Sequence, residues 1–302
     1  MSIQVSIIIV NYNVKELLHK CIHSIYATTN ISFEIILIDN NSTDGSILLI
    51  RKDFPQVIII ENNYNAGFPK ANNQGFERST GKYLLMLNPD TECIGNAIDL
   101  MFNYMENHIE VSLLAPKLLN TNGSIQYSIQ RFITVSEVIL ETFFLHSFYK
   151  SYHSYLKKTP NAPLEVEALS GAAILFPKAL YNEIGGLDED LFWTEDMEFC
   201  YRAYKHGKKI IYIPQAEIKH HIGASGFKNM NVMISRQVLS KITFFRKNHS
   251  TVSFTLVKYA RLLHIITRII IFYLLSLTGR INFRKKVEAY TFTFSEFKSG
   301  HY

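Results

Sequence analysis

Only three cysteines occur in the 302 residues, and Cys21, Cys93 and Cys200 lie far apart. An odd, scattered set of thiols supports neither a disulfide framework nor a zinc site, and a reducing, cytosolic setting is expected. No G-x-G-x-x-G follows the first strand-like run, where Asn11-Tyr12-Asn13 stands instead, and no P-loop pattern occurs anywhere. Dinucleotide and ATP sites of the usual kinds are therefore without support. A basic n-region with a cleavage site is also missing at the N-terminus, so no secretory signal is expected. The body lacks a basic excess too: the first 250 residues hold 23 Lys and Arg against 24 acids, whereas residues 251–302 hold eight against two. This asymmetry argues against nucleic acid as a partner and for an anionic surface meeting the tail.

What is present is an alternation of short apolar runs with amphipathic stretches, in a chain of ordinary globular composition, 47% hydrophobic and 19% charged. The runs VSIIIV (5–10), FEIILI (33–38) and VIIIE (57–61) read as strands, and YLLML (83–87) as a strand buried on both faces. Helical spacing fills the intervals at 14–28, after 46 and at 68–79. A β-α-β-α-β-α-β order predicts a parallel sheet with right-handed crossovers. All four polar corners then fall at its carboxyl edge, where open α/β sheets bind ligands. The corners are Asn11–Asn13, Asp39–Asp44, Asn63–Gly67 and Asn88–Asp90. Asn and Asp are also common turn formers, so it is the convergence of four corners that points to a site. Asp90, fixed at the end of a buried strand, is the candidate ligand of a divalent cation.

A second group follows the small-residue run Ser170-Gly171-Ala172, where a ligand or another backbone can approach closely. Glu195 and Asp196 open a helical pattern that continues to Gly207. Acids there complement the helix dipole and need no further role on that evidence alone. Trp193 is open between sugar stacking and core packing. The aromatic segment 131–160, with Phe143, Phe144, Phe148, Tyr149, Tyr152 and Tyr155, reads as a packed helix or an acceptor-facing lid. In the tail, Lys258, Arg261 and Arg268 share one helical stripe. With His264, four ionisable groups disfavour a spanning helix, and an in-plane amphipathic helix on an anionic leaflet is expected.

From about Val5 to Gly226 the chain resembles the family 2 glycosyltransferases with a GT-A fold, especially their rhamnosyltransferase-like branch. The resemblance rests on an ordered set: Val10-Asn11-Tyr12-Asn13; Asp39-Asn40-Asn41-Ser42 with Asp44-Gly45-Ser46; Asn65-x-Gly67-Phe68; and Ala71-Asn72-Asn73-x-Gly75. It continues with Leu87-Asn88-Pro89-Asp90, Ser170-Gly171-Ala172, Gly185-Gly186-x-Asp188-Glu189, Glu195-Asp196, and a histidine before Gly223-Ala224-Ser225. It implies an α/β, Rossmann-like mixed sheet flanked by helices. Residues 1–115 would form a nucleotide-sugar-binding half and 116–230 an acceptor-binding half of the same domain. The segment 231–302 lies outside the resemblance and reads from its own pattern as a helical, basic, amphipathic, membrane-associating tail.

By the same resemblance, Asp39 meets the nucleotide base beside Asn11 and Asn13, and Tyr12, Asn40, Asn65, Gly67, Asn72 and Asn88 line the donor site. Asp90, the last residue of the family's D-x-D element, binds Mg²⁺ or Mn²⁺. Asn88 replaces the first aspartate and supplies a hydrogen bond only. His220 matches a histidine that some relatives use as a metal ligand, with His221 its neighbour. Asp196 matches the catalytic base, with Glu195 beside it, and Gly171 and Trp193 face the acceptor. The implied reaction is inverting transfer from a nucleoside-diphosphate sugar to a glycan or lipid-linked glycan in cell-surface polysaccharide synthesis, at the inner face of the cell membrane. A nucleotidyltransferase and a non-catalytic assembly scaffold are the alternatives.

Overall fold

The computed structural model describes residues 2–145, 160–221, 230–300 and 302. Phe148, Tyr149, Tyr152 and Tyr155 of the aromatic segment, and the Gly223-Ala224-Ser225 motif, lie outside the described residues. The chain divides into two compact units. One takes in Met1–Phe132, Lys158–Glu189 and Glu195–Gly226; the other takes in Ile133–Lys157, Asp190–Thr194 and Phe227–Tyr302.

The first unit begins β1 (Val5–Asn11), α1 (Lys15–Thr28), β2 (Phe33–Asp39), α2 (Ser46–Asp53), β3 (Ile58–Glu61), α3 (Phe68–Arg78) and β4 (Tyr83–Leu87). These four strands are the apolar runs of the sequence, and they pair in parallel in the order β3-β2-β1-β4. Every residue of β1 and β4 is buried, as helices on both faces of a parallel sheet require. Helix α3 lies close to the sheet at Gly75, where an added Cβ would fall 2.5 Å from Ile8 Cγ2 and 2.8 Å from Ile38 Cδ1.

Beyond β4 the sheet becomes mixed. β5 (Thr91–Ile94), α4 (Ala97–Asn107), β6 (Val111–Leu119), β7 (Ile125–Gln126) and β8 (Ile129–Gln130) follow in the chain. After them in this unit come β9 (Leu164–Glu165), β10 (Ala168–Leu169), β11 (Ala173–Pro177) and β12 (Lys209–His220). The sheet order runs on as β4-β11-β6-β12-β5, with β11 antiparallel to both neighbours. Sequence reading does not anticipate β5, a four-residue strand antiparallel to β12 that pairs Thr91 with His220.

The second unit is helical. Its elements are α5 (Val135–Thr142), then, beyond α6 (Lys178–Ile184) and α7 (Glu195–Lys205) of the first unit, α8 (Met230–Asn248), α9 (Thr251–Ser276) and α10 (Ile281–Ser299). The sequence groups residues 133–142 with the acceptor-binding half; in the structure α5 packs on α9.

The basic stripe of α9 needs correction. Arg261 and Arg268 do share one face, but it is the buried one. Arg261 Nη2 donates to Glu141 Oε2 at 2.5 Å, and Lys241 Nζ reaches the same oxygen at 2.7 Å. Arg268 donates to the main-chain oxygens of Glu141 and Thr142 and stacks on the Phe144 ring. Burial alone would raise the Glu141 carboxyl, but the charges of Arg261 and Lys241 outweigh it and hold it at about 2. His264, buried beside Arg261, is pushed down to about 3 and stays neutral. These cations therefore neutralise a carboxylate and cap the end of α5 instead of meeting lipid headgroups.

Candidate active site

The first two corners form one hydrogen-bonded knot. Asn11, fully buried at the end of β1, donates from Nδ2 to Asp39 Oδ1 (2.7 Å), Ser42 Oγ (3.0 Å) and Ser46 Oγ (2.8 Å). Asp39 Oδ2 accepts from the Ser42 amide at 2.8 Å. Asn13 takes a left-handed conformation (φ 55°), and its Oδ1 accepts from the Thr43 amide at 2.8 Å. Asp44 accepts from the main-chain amides of Lys15 and Ser46, locking the start of α1 and α2. Asn40 reaches the third corner through the Gly67 carbonyl at 3.4 Å, and Asn65 Oδ1 accepts from the Gly67 amide at 3.0 Å. Asn72 donates to the Phe68 carbonyl one turn back. Tyr12 stands out from this edge, 43% exposed.

The fourth corner is joined by the far end of the sheet. Pairing of Thr91 with His220 sets the histidine beside Asp90, and the His221 amide donates to the Asp90 carbonyl at 2.8 Å. His220 Nε2 lies 3.3 Å from both Asp90 Oδ1 and Asn88 Nδ2. His220 Nδ1 is 2.7 Å from Gln126 Oε1, while Gln126 Nε2 donates to Asn120 Oδ1 at 3.0 Å and the His220 carbonyl at 3.2 Å. With both amide donors spent on oxygens, Gln126 presents its oxygen to Nδ1, so Nδ1 carries the proton. Nε2 is then the ring nitrogen that faces both Asp90 Oδ1 and the Asn88 side-chain amide. Asp90 is 2% exposed, and among the described residues its Oδ1 has no hydrogen-bond donor; the Asn88 Oδ1 also lacks one. A cation between Nε2 and Asp90 Oδ1 would serve both atoms. Their 3.3 Å separation is near the roughly 3 Å between adjacent ligands of an octahedral ion with bonds of about 2.1 Å. No three His, Cys, Asp or Glu side chains cluster to hold an ion by themselves among the described residues. The donor set thus suits an ion that completes its shell with phosphate oxygens and water. His221 is turned elsewhere, to Glu92 Oε1 at 2.7 Å and Thr121 Oγ1 at 2.9 Å.

The third group adjoins the fourth corner through the Asn88 amide, which donates to the Ala172 carbonyl at 2.9 Å. Asp196, in the first turn of α7, accepts from the Gly171 amide (2.8 Å) and Gln130 Nε2 (3.3 Å) on Oδ2. Its Oδ1 accepts from the Met197 amide at 2.7 Å. Sequence reasoning expects the helix N-terminus to favour the anion. Burial outweighs the three donors, and the Asp196 carboxyl is raised above the ordinary aspartate range. A Cβ at Gly171 would lie 3.2 Å from Asp196 Cβ and 3.5 Å from its Oδ2, so a larger residue would crowd the carboxylate. Glu195, beside it, is buried. The Gly185-Gly186-x-Asp188-Glu189 loop is held by Asn73, which bonds both main-chain groups of Leu187, and by Arg202 on the Gly186 carbonyl. Trp193 belongs to the helical unit and is half-exposed, with a φ of 86°.

The family model described as "Glycosyl transferase family 2" matches residues 6–185, well over half the chain. The chain belongs to glycosyltransferase family 2. It is 22% identical over 260 residues to an N-acetylglucosaminyl-diphospho-decaprenol L-rhamnosyltransferase of Mycobacterium tuberculosis (strain CDC 1551 / Oshkosh), a match covering 81% of this chain and 84% of that one. It is 31% identical over 134 residues to the UDP-Glc:alpha-D-GlcNAc-diphosphoundecaprenol beta-1,3-glucosyltransferase WfaP of Escherichia coli, covering 41% and 53%. Among solved structures, GalNAc-T7 with UDP, GalNAc and Mn²⁺ shares the fold at a TM-score of 0.58 and 17% identity. The Staphylococcus aureus TarS structure does so at 0.53 and 16%. The chain is spanned for 81% and 78% of its length by these two, but covers only 50% and 40% of theirs. The fold is thereby GT-A, and the nucleotidyltransferase alternative falls away.

Two residues of this glycosyltransferase escape sequence reasoning. Gln126 fixes His220 and Gln130 touches Asp196, each from a two-residue strand. The signal available is a repeat: Ser-Ile-Gln occurs at 124–126 and again at 128–130.

Proposed function

We propose that this glycosyltransferase moves a sugar, with inversion and with the help of Mg²⁺ or Mn²⁺, from a nucleoside-diphosphate donor to a hydroxyl of a lipid-linked glycan in cell-surface polysaccharide synthesis. The observation that carries the reading is the buried Asp90 Oδ1, without a hydrogen-bond donor among the described residues and 3.3 Å from His220 Nε2, at the carboxyl edge of the parallel strands. Relatives named for transfer to diphospho-decaprenol and diphospho-undecaprenol carriers support the acceptor class. The same names favour an activated rhamnose or a uridine-diphospho sugar as donor, the former as its deoxythymidine diphosphate by the resemblance to the rhamnosyltransferase-like branch. Such an acceptor resides at the membrane, which supports a peripheral position at its cytoplasmic face.

In this mechanism the knot of Asn11, Asn13 and Asp39 receives the base, with Tyr12, Asn40, Asn65, Gly67 and Asn72 along the same edge. Asp90 and His220 would hold the cation, and Asn88 donates a hydrogen bond to its surroundings. The bound ion supplies neutralisation of the charge that develops on the departing diphosphate. Asp196 takes the proton from the acceptor hydroxyl as its oxygen forms a bond to the anomeric carbon. The bond from that carbon to the diphosphate oxygen breaks on the opposite side, so configuration inverts. The raised affinity of Asp196 for a proton makes it a stronger base than a solvated aspartate. Gly171 leaves the carboxylate uncrowded, and Glu195 flanks it.

The test is incubation with a panel of nucleoside-diphosphate sugars, Mn²⁺ and a polyprenyl-diphospho-GlcNAc acceptor, with the product anomer assigned by NMR. One donor should give product of inverted configuration; retention of configuration, or no product from any donor, contradicts the reading.

A further inference from the structure

Helix α9 is polar inside and apolar outside. Its buried side carries Arg261, His264 and Arg268. Its exposed side carries Leu256, Leu263, Ile266, Ile270, Leu274 and, just past its end, Leu277, from 38% to 69% exposed. At 100° per residue these six fall within one stripe of about 80°. Tyr259, 63% exposed, falls within the stripe, and Tyr273, 57% exposed, lies at its margin. No charged residue of α9 is among its exposed ones. The helix is long and apolar enough, by length and composition, to cross a membrane. Its neighbour α10 prevents that, because it exposes Arg284, Lys285, Glu288 and Lys298 to its surroundings.

We propose that this stripe is embedded, parallel to the surface, in the headgroup–acyl boundary of an anionic lipid bilayer. The partner is chosen by three features. A surface that is aliphatic apart from Tyr259 offers few of the polar groups that specify a protein partner. Tyr259 and Tyr273 present a ring with a polar tip, the form favoured at a membrane–water boundary. The exposed Arg280, Arg284 and Lys285 stand next to Leu277 and Ile281 in the chain, so cations border the end of the apolar stripe. A second copy would bring the same positive excess, since residues 251–302 hold eight Lys and Arg against two Glu. Lipid contact through the exposed stripe replaces the inward-facing Arg261 and Arg268 as the attachment, and it stands apart from the transfer chemistry.

The experiment is flotation of the full-length protein with vesicles of phosphatidylcholine alone or with 30% phosphatidylglycerol, a composition of about one anionic lipid in three. The protein should float with the anionic vesicles. L263E/I270E, whose sites are exposed, should reduce the bound fraction at least tenfold while keeping the wild-type melting temperature and sedimentation coefficient. R284E/K285E should reduce binding to anionic vesicles and leave the weaker binding to neutral ones unchanged; it serves as the second variant if the first is unstable. Equal flotation of wild type and both variants, or no flotation of the wild type, overturns the proposal. A concentration-dependent dimer that L263E/I270E abolishes, without vesicle binding by the wild type, overturns it in favour of a second copy.

Discussion

The Asp90 carboxylate and the His220 imidazole face each other, with Oδ1 and Nε2 3.3 Å apart. Strand β5 makes the meeting possible, because its antiparallel register puts Thr91 opposite His220. The relationship depends on Gln126, which spends both amide protons elsewhere and leaves only an oxygen for Nδ1.

Gln126→Leu removes that oxygen. The imidazole is then free to carry its proton on Nε2, the atom that faces Asp90. Long-range ¹H–¹⁵N NMR of the labelled protein should show the Nδ1–H tautomer in the wild type and loss of it in the variant. Mn²⁺ affinity with a nucleoside diphosphate should fall roughly 10–100-fold, the usual effect of losing a group that orients a ligating histidine. An unchanged tautomer would remove Gln126 from the site.

Asp196→Asn should leave nucleoside-diphosphate affinity unchanged and lower kcat by about 10²–10⁴, the usual worth of a positioned base. Because burial raises the carboxyl, the acid limb of kcat/KM in the wild type should lie above the ordinary aspartate value of about 3.9. Activity is lost as pH falls through that limb, where the base becomes protonated. A limb at or below the ordinary value would show that the donors from Gly171 and Met197 prevail over burial.

Gly171→Val tests the close approach to the base. A branched side chain would press on the Asp196 side chain, its Cβ at 3.2 Å and its Oδ2 at 3.5 Å, and kcat should fall at least tenfold with donor binding retained. Calorimetric donor titration separates this outcome from general unfolding.

Glu141→Gln addresses the helical unit. The carboxyl is held at about 2 in the folded state, below the value of an unfolded glutamate. Its contribution is therefore complete above about pH 5 and disappears as pH falls through about 2. The variant should be less stable than the wild type at pH 7 by about 2 kcal/mol, discounted from the 3–5 kcal/mol of a fully buried pair because a third of the side chain is exposed. Denaturant melts across pH should show that difference closing on the acid side.

The parallel half of the sheet is legible because β1 to β4 are largely apolar runs followed by corners rich in Asn and Asp. Convergence of the corners follows from strand direction alone, and Asn11 bonding Asp39 is its outcome. Strand β5 is hidden because Thr91-Glu92-Cys93-Ile94 is short and only partly buried. Its pairing with β12 is a long-range choice that local pattern does not carry. The α9 stripe shows a different limit. Helical spacing correctly groups Arg261 with Arg268, but whether that face points inward depends on Glu141, distant in sequence. Charge near lipid and charge near a buried carboxylate have the same periodicity.

Metal-dependent nucleotide binding through Asp90 is the central claim, and calorimetric titration of uridine and deoxythymidine diphosphates with and without Mn²⁺ tests it most directly. The wild type should bind one of the two at least tenfold more tightly with Mn²⁺, and Asp90→Ala should abolish that gain while keeping the metal-free affinity. Equal affinity with and without Mn²⁺ in the wild type, or a full Mn²⁺ gain in Asp90→Ala, would contradict the account.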